Sequence, residues 1–172
     1  DWRSQKGLLE DFWELPREAP GRRAAEKFFR DHYGGVERFN EAWGARLGSF
    51  DELGRAPSLK DACDGLREAL ADRKTSPRAR TLEAIEGGLL RCVSAEYFKV
   101  CAEAIRAADP DHIVLGCRFA GYAPTEVLQG MAAHVDVVSY NNYGFLPPPE
   151  EIRRIHETTE RPVLLTEFSF KA

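Results

Sequence analysis

Apolar residues recur at three- and four-residue intervals through most of the first 109 positions, a spacing that predicts helices. Leu8, Leu9, Phe12, Trp13 and Leu15 form one such stripe before Pro16 stops it. A second segment opens at Pro20-Gly21, carries Ala24, Ala25, Phe28 and Phe29, and closes at Tyr33-Gly34-Gly35. GVERFNEAWG reads as a further turn or two of helix ending at Gly44. From Ser58 to Lys74 the chain is amphipathic, with Leu59, Cys63, Leu66 and Leu70 on one side. Ser76-Pro77 has the form of a helix start. The helix it opens is expected to reach Ala108, where Asp109-Pro110 ends it, with Gly87-Gly88 as a place to bend.

After residue 110 the period changes. HIVLGCRF, VDVVSYNNYG and PVLLTEF read as strands, and PTEVLQGMAAHV and PPPEEIRRIHETTERP read as the helices between them. This β-α-β-α-β order with short connections predicts parallel strands and right-handed crossovers. The strand runs are apolar enough to be expected buried on both faces. Residues 1–109 are thus read as a helical segment and 110–172 as an α/β section. A doubly wound sheet or part of a (β/α)8 barrel fits.

The strand ends are where an α/β fold places its chemistry. They finish in Cys117-Arg118-Phe119-Ala120, in Tyr140-Asn141-Asn142-Tyr143 and in Glu167-Phe168. Glu167 is a carboxylate at the tip of an otherwise apolar run. Arg, Asn, Tyr and Glu on one rim suit a polyhydroxylated ligand: amides and phenols bond hydroxyls, aromatic faces cover a sugar ring, and a carboxylate attacks or orients. No glycine-rich phosphate loop follows any strand, which disfavours a nucleotide fold. Each residue also has a plainer reading. Glu167 and Arg118 could be a structural ion pair, and Asn141 or Tyr143 a turn residue. Asp136 reads as a cap or turn group. Trp13 and Trp43 read as core, while Trp2 is a candidate to face substrate.

Composition narrows the partners. The 43% hydrophobic and 30% charged content of the 172 residues is that of a globular chain. A net charge of −4, with no Lys/Arg stripe interleaved with aromatics, argues against nucleic acid. No stretch approaches the length of an apolar membrane span. Cys63, Cys92, Cys101 and Cys117 form no C-x-x-C pair, and His32, His112, His134 and His156 share no ligand spacing. Reduced, mostly buried thiols and no metal are expected. Compartment and oligomeric state stay open.

Three stretches together, YFKVCAEAIRAADPDHIVLGCRFAG, VDVVSYNNYG and PVLLTEFSFKA, resemble the β-agarase-like family 50 glycoside hydrolases. YGGVERFNEAWGARLGSFDEL is similar both to that family and, more distantly, to the family 42 β-galactosidases. The likeness is weakest over residues 54–90. It implies a retaining hydrolase on a (β/α)8 TIM barrel, with residues 110–172 as strands five to seven and the chain as one incomplete domain. Glu167 matches the family nucleophile. Tyr140 or Tyr143 is then expected to hydrogen-bond it, with Arg118 and Asn141 as polar rim groups. DWRSQKG resembles the segment just after the Asn-Glu pair of these families, so the acid/base residue is expected upstream of Asp1. TTEF stands where the family commonly has I-G-E-F, and NNY where it has NYY. The resemblance implies a galactose-containing poly- or oligosaccharide as substrate and no cofactor. It also implies that these residues alone would be inactive and prone to associate through open strand edges. A family 42-like β-galactosidase and a non-catalytic carbohydrate-binding protein are the alternatives.

Overall fold

The computed structural model describes residues 7–169, a helix-rich α/β chain in two compact units, Asp1–Leu89 and Leu90–Ala172. Trp2 lies outside the described residues. Helices α1 (Leu8–Trp13), α2 (Pro20–Tyr33), α3 (Val36–Trp43), α5 (Leu59–Ala62), α6 (Asp64–Ala71) and α7 (Ala79–Ala108) follow the apolar stripes, and α4 (Phe50–Arg55) forms where no stripe was read. Among the described residues, no helix is long and apolar enough to cross a membrane.

The first unit is built on aromatic contacts. Phe29 of α2 meets Trp13, Tyr33 and Phe39, and the Trp43 indole donates to the Tyr33 hydroxyl at 2.7 Å. Trp13 and Trp43 are fully buried, as their helix positions predict. Arg22 is buried with them. Its guanidinium lies 3.8 Å over the Trp13 ring, donates to the carbonyls of Trp13, Gly54 and Ala56, and pairs with Glu26. These are carbonyls at or near the ends of short helices, where the chain leaves backbone acceptors without intrahelical partners; the Ala56 carbonyl also accepts from the Trp13 indole at 3.3 Å.

The amphipathic stretch from Ser58 to Lys74 is two helices rather than one. Cys63 is extended between α5 and α6. The second helix then starts against α3 with Gly65, where a Cβ would lie 1.9 Å from the Trp43 carbonyl oxygen. A continuous helix bearing a side chain there would collide with α3.

The second unit holds α8 (Thr125–Met131), β1 (Val138–Asn142), α9 (Pro149–Thr159), β2 (Val163–Phe168) and the later part of α7. β1 and β2 are parallel, with Val138 opposite Val163 and Tyr140 opposite Leu165. Two of the expected strand features differ. HIVLGCRF makes no regular strand; it joins β1 through one parallel bridge, Phe119 to Tyr140. The interruption is at Gly116, whose φ of +69° turns the chain out of the extended region. Its bonds to β1 are Phe119 N–H to the Ser139 carbonyl at 3.1 Å and Asn141 N–H to the Phe119 carbonyl at 2.8 Å. Asp136, at the entry to β1, accepts from Val114 N–H at 2.7 Å and pairs with Arg106, the turn role its position suggests. Nor is β2 buried on both faces: it lies at the sheet edge, with Leu164 and Phe168 exposed. Its covered side, Val163 and Leu165, packs with Val138, Tyr140, Phe98, Leu128, Met131 and Ile155. Each large apolar side chain fully buried this way contributes about 1.5–3 kcal/mol.

Gly65→Ala tests the helix break. At an ordinary interior helix position the change stabilises by about 1 kcal/mol. Here overpacking against Trp43 is expected to destabilise by about 1–3 kcal/mol in chemical denaturation. A stabilised variant would contradict the close approach.

Candidate functional site

Strand alternation sorts the residues at the sheet's C-terminal end into two faces. Cys117 and Phe119 point to the apolar cluster along with Val138 and Tyr140 of β1 and Val163 and Leu165 of β2. Arg118, Ser139 and Asn141 fall between these positions and take the other face. Strict alternation in β2 would send Glu167 toward the core with Val163 and Leu165. It does not go there, because the register slips by one residue: Tyr140 faces Leu165, but the next residue, Asn141, faces Glu167. Thr166 is the extra residue of a β-bulge, which re-aims the side chains beyond it.

The bulge is held by a hydroxyl pair. Thr166 Oγ1 hydrogen-bonds Ser139 Oγ, which is buried in the sheet. Glu167 is thereby delivered to Arg118, whose Nη1 lies 2.5 Å from Glu167 Oε2. Oε1 carries no hydrogen bond among the described residues. The two side chains are 58% and 34% exposed, respectively, and pairs so open to water contribute at most about 1 kcal/mol to stability. The pair therefore aims the carboxylate more than it stabilises the fold.

Asn141 is the third member of the group. It is 7% exposed, and its side-chain Oδ1 is buried with no hydrogen-bond partner among the described residues. An orphaned amide oxygen costs about 1–3 kcal/mol, and here it sits one strand over from a carboxylate with a free oxygen. An arginine, an amide and a carboxylate on adjacent strand ends can bind and orient hydroxyl groups. The carboxylate can also serve as a nucleophile.

The tyrosines divide differently. Tyr140 packs in the core cluster on the far face from Glu167, and burial raises its phenol above the usual range. Tyr143 lies just past β1 and is half-exposed; among the described residues it makes no hydrogen bond to Glu167. All four cysteines are free thiols. Mostly buried thiols were expected, but Cys92 is exposed and Cys63, Cys101 and Cys117 are only partly buried; burial raises the Cys117 thiol beside Arg118. No group of His, Cys, Asp or Glu suited to a metal ion occurs among the described residues. Sequence reasoning missed Ser139, Thr166 and Arg154. Arg154 of α9 ties Ala123 and Thr125 to Glu151.

The chain is similar to known agarases. It is 26% identical over 156 residues to "Beta-agarase B" of Vibrio sp. (strain JT0107), and 30% identical over 145 residues to "Beta-agarase A" of the same organism. These matches cover 90% and 81% of the chain but 15% and 13% of those proteins. Among solved structures it superposes on an exo-beta-agarase with a TM-score of 0.69 at 31% identity, covering 92% of this chain and 20% of that one. The agarase AgWH50C gives 0.71 at 27% identity, with 94% and 21% covered. No family model matches the chain. The chain thus spans about a fifth or less of each of these relatives.

Thr166→Val removes the hydroxyl that partners buried Ser139. It is expected to destabilise by about 1–3 kcal/mol in chemical denaturation, and Thr166→Ser to restore most of the loss. A valine variant as stable as the wild type would show that the hydroxyl pair does not hold the bulge.

Proposed function

We propose that this chain carries the nucleophile side of a retaining glycoside hydrolase site acting on a galactose-containing, agarose-type polysaccharide. The observation that carries the reading is the shared face of Arg118, Asn141 and Glu167, where the Phe119 bridge segment and the C-terminal ends of the parallel strands β1 and β2 lie side by side. Beta-agarases as the named relatives supply the substrate class. On this reading residues 110–172 correspond to strands five to seven of a (β/α)8 barrel, and the helical residues 1–109 come after its fourth strand.

The chemistry is set by the atoms each group has free. Glu167 Oε1 attacks the anomeric carbon while Oε2 stays on Arg118, so the carboxylate approaches in one orientation. The glycosidic C–O bond breaks, and its electron pair leaves with the departing oxygen. A second carboxyl group about 5–5.5 Å from Glu167 protonates that oxygen. Among the described residues, β1, β2 and the Phe119 segment bring only one carboxylate to this face, so on this reading the acid/base group lies outside them. Deprotonated by that transfer, the same group next activates a water. The water breaks the glycosyl–Glu167 ester and returns the sugar with its configuration retained. Asn141, beside Glu167 on the same face, offers its amide to a sugar hydroxyl. No organic cofactor or metal is needed, since two carboxyl groups carry every step. Tyr143, half-exposed at the rim, is available to touch substrate.

The test is covalent labelling of the full-length protein with a 2-fluoro-galactosyl inactivator, followed by peptide mass spectrometry. The label is expected on Glu167, and Glu167→Gln is expected to lower kcat/KM by about 10³-fold or more. Hydrolysis of agarose with the label on another residue would overturn the nucleophile assignment. Binding without any hydrolysis would favour a non-catalytic carbohydrate-binding protein. Turnover confined to small β-galactosides would favour a β-galactosidase.

A further inference from the structure

Tyr122 stands in the short connection between the Phe119 bridge and α8, four residues beyond Arg118, on the same C-terminal side of the sheet. It is 72% exposed, yet its ring is not left loose. The Arg154 guanidinium lies 4.5 Å from the ring centroid. Arg154 is itself fixed: Nε and Nη2 donate to the Glu151 carboxylate at 2.9 and 2.7 Å, Nη2 to the Ala123 carbonyl at 2.7 Å, and Nη1 to Thr125 Oγ1 at 3.1 Å. With four of its five edge N–H donors committed, the guanidinium presents its flat face, and Tyr122 covers it. The hydrogen bond from Arg154 also holds the Glu151 carboxyl below its usual range, so the clamp is charged at neutral pH.

An aromatic ring supported on one face and open to solvent on the other is pre-ordered for stacking. A freely rotating surface tyrosine would lose side-chain entropy on binding; this one has lost much of it already. Galactose presents the opposite surface, a patch of C–H groups on the face away from its axial hydroxyl. The loop after β1 adds exposed Phe145 and Leu146 to the same end of the sheet. We infer that Tyr122, clamped by Arg154, is a stacking platform for one pyranose ring of a galactose-containing chain. It forms a subsite beyond the sugar that reacts at Glu167. This inference rests on the proposed hydrolase reading and adds a binding position to it.

Isothermal titration of neoagarohexaose into the full-length protein in a Glu167→Gln background tests the platform without turnover. Tyr122→Ala is expected to weaken Kd about three- to tenfold, while Tyr122→Phe, which keeps the ring, binds as the parent does. In the active enzyme the alanine variant is expected to raise KM by the same factor and leave kcat unchanged. Because Tyr122 is largely exposed, the alanine variant should fold, and near-UV circular dichroism checks that it does. If Glu167 is labelled but Tyr122→Ala binds and turns over like the parent, the platform is wrong and the hydrolase reading stands. If nothing is labelled or hydrolysed but Tyr122→Ala still weakens binding, the platform stands in a protein that only binds sugar. Absence of any oligosaccharide binding by the parent overturns both.

Discussion

One inserted residue in β2 decides which way the candidate carboxylate faces. A strand alternates its side chains strictly, so three residues of the run Val163–Glu167 share one face by default, and the helices claim that face for the core. Thr166 adds a position without adding a partner, and everything after it changes sides. The apolar packing before the bulge and the polar group after it can then coexist in one six-residue strand. The Ser139–Thr166 hydroxyl pair fixes where the change occurs, so the site depends on a hydrogen bond between two residues that would not touch substrate.

The rest of the second unit supports that arrangement. β1 lies between the Phe119 bridge and β2, its odd residues bonding one neighbour and its even residues the other. Val138 and Tyr140 anchor it in the helix-covered cluster. Ser139 and Asn141 can therefore be polar and buried on the far face, which is an expensive place for an amide oxygen with no partner. Stability alone would favour an apolar residue at Asn141. In the first unit, Arg22 shows the opposite solution: a buried charge with its donors satisfied by carbonyls and Glu26.

Much of this was legible in the sequence. Apolar spacing located nearly every helix, and the change of period after residue 110 located the parallel section. The strand ends nominated Arg118, Asn141 and Glu167. What escaped was local. Gly116 reads as one small residue in an apolar run, but its left-handed backbone reduces an expected strand to a single bridge. Gly65 hid a helix break that only contact with Trp43 imposes. The tyrosines came from the family resemblance, and parity takes Tyr140 to the core. A signal for the bulge was present and unused: Val163, Leu165 and Glu167 have the same parity, and a carboxylate cannot share their buried face. The Arg154 clamp on Tyr122 joins residues 32 positions apart and has no sequence pattern.

The most direct measurement is a crystal structure of the full-length protein trapped as its 2-fluoro-galactosyl adduct. The account predicts a covalent bond from the anomeric carbon to Glu167, Arg118 on the other carboxylate oxygen, Asn141 within hydrogen-bonding distance of a sugar hydroxyl, and the bulge intact at Thr166. A regular β2 with Glu167 turned toward Tyr140, or a sugar bonded to a different residue, would contradict it.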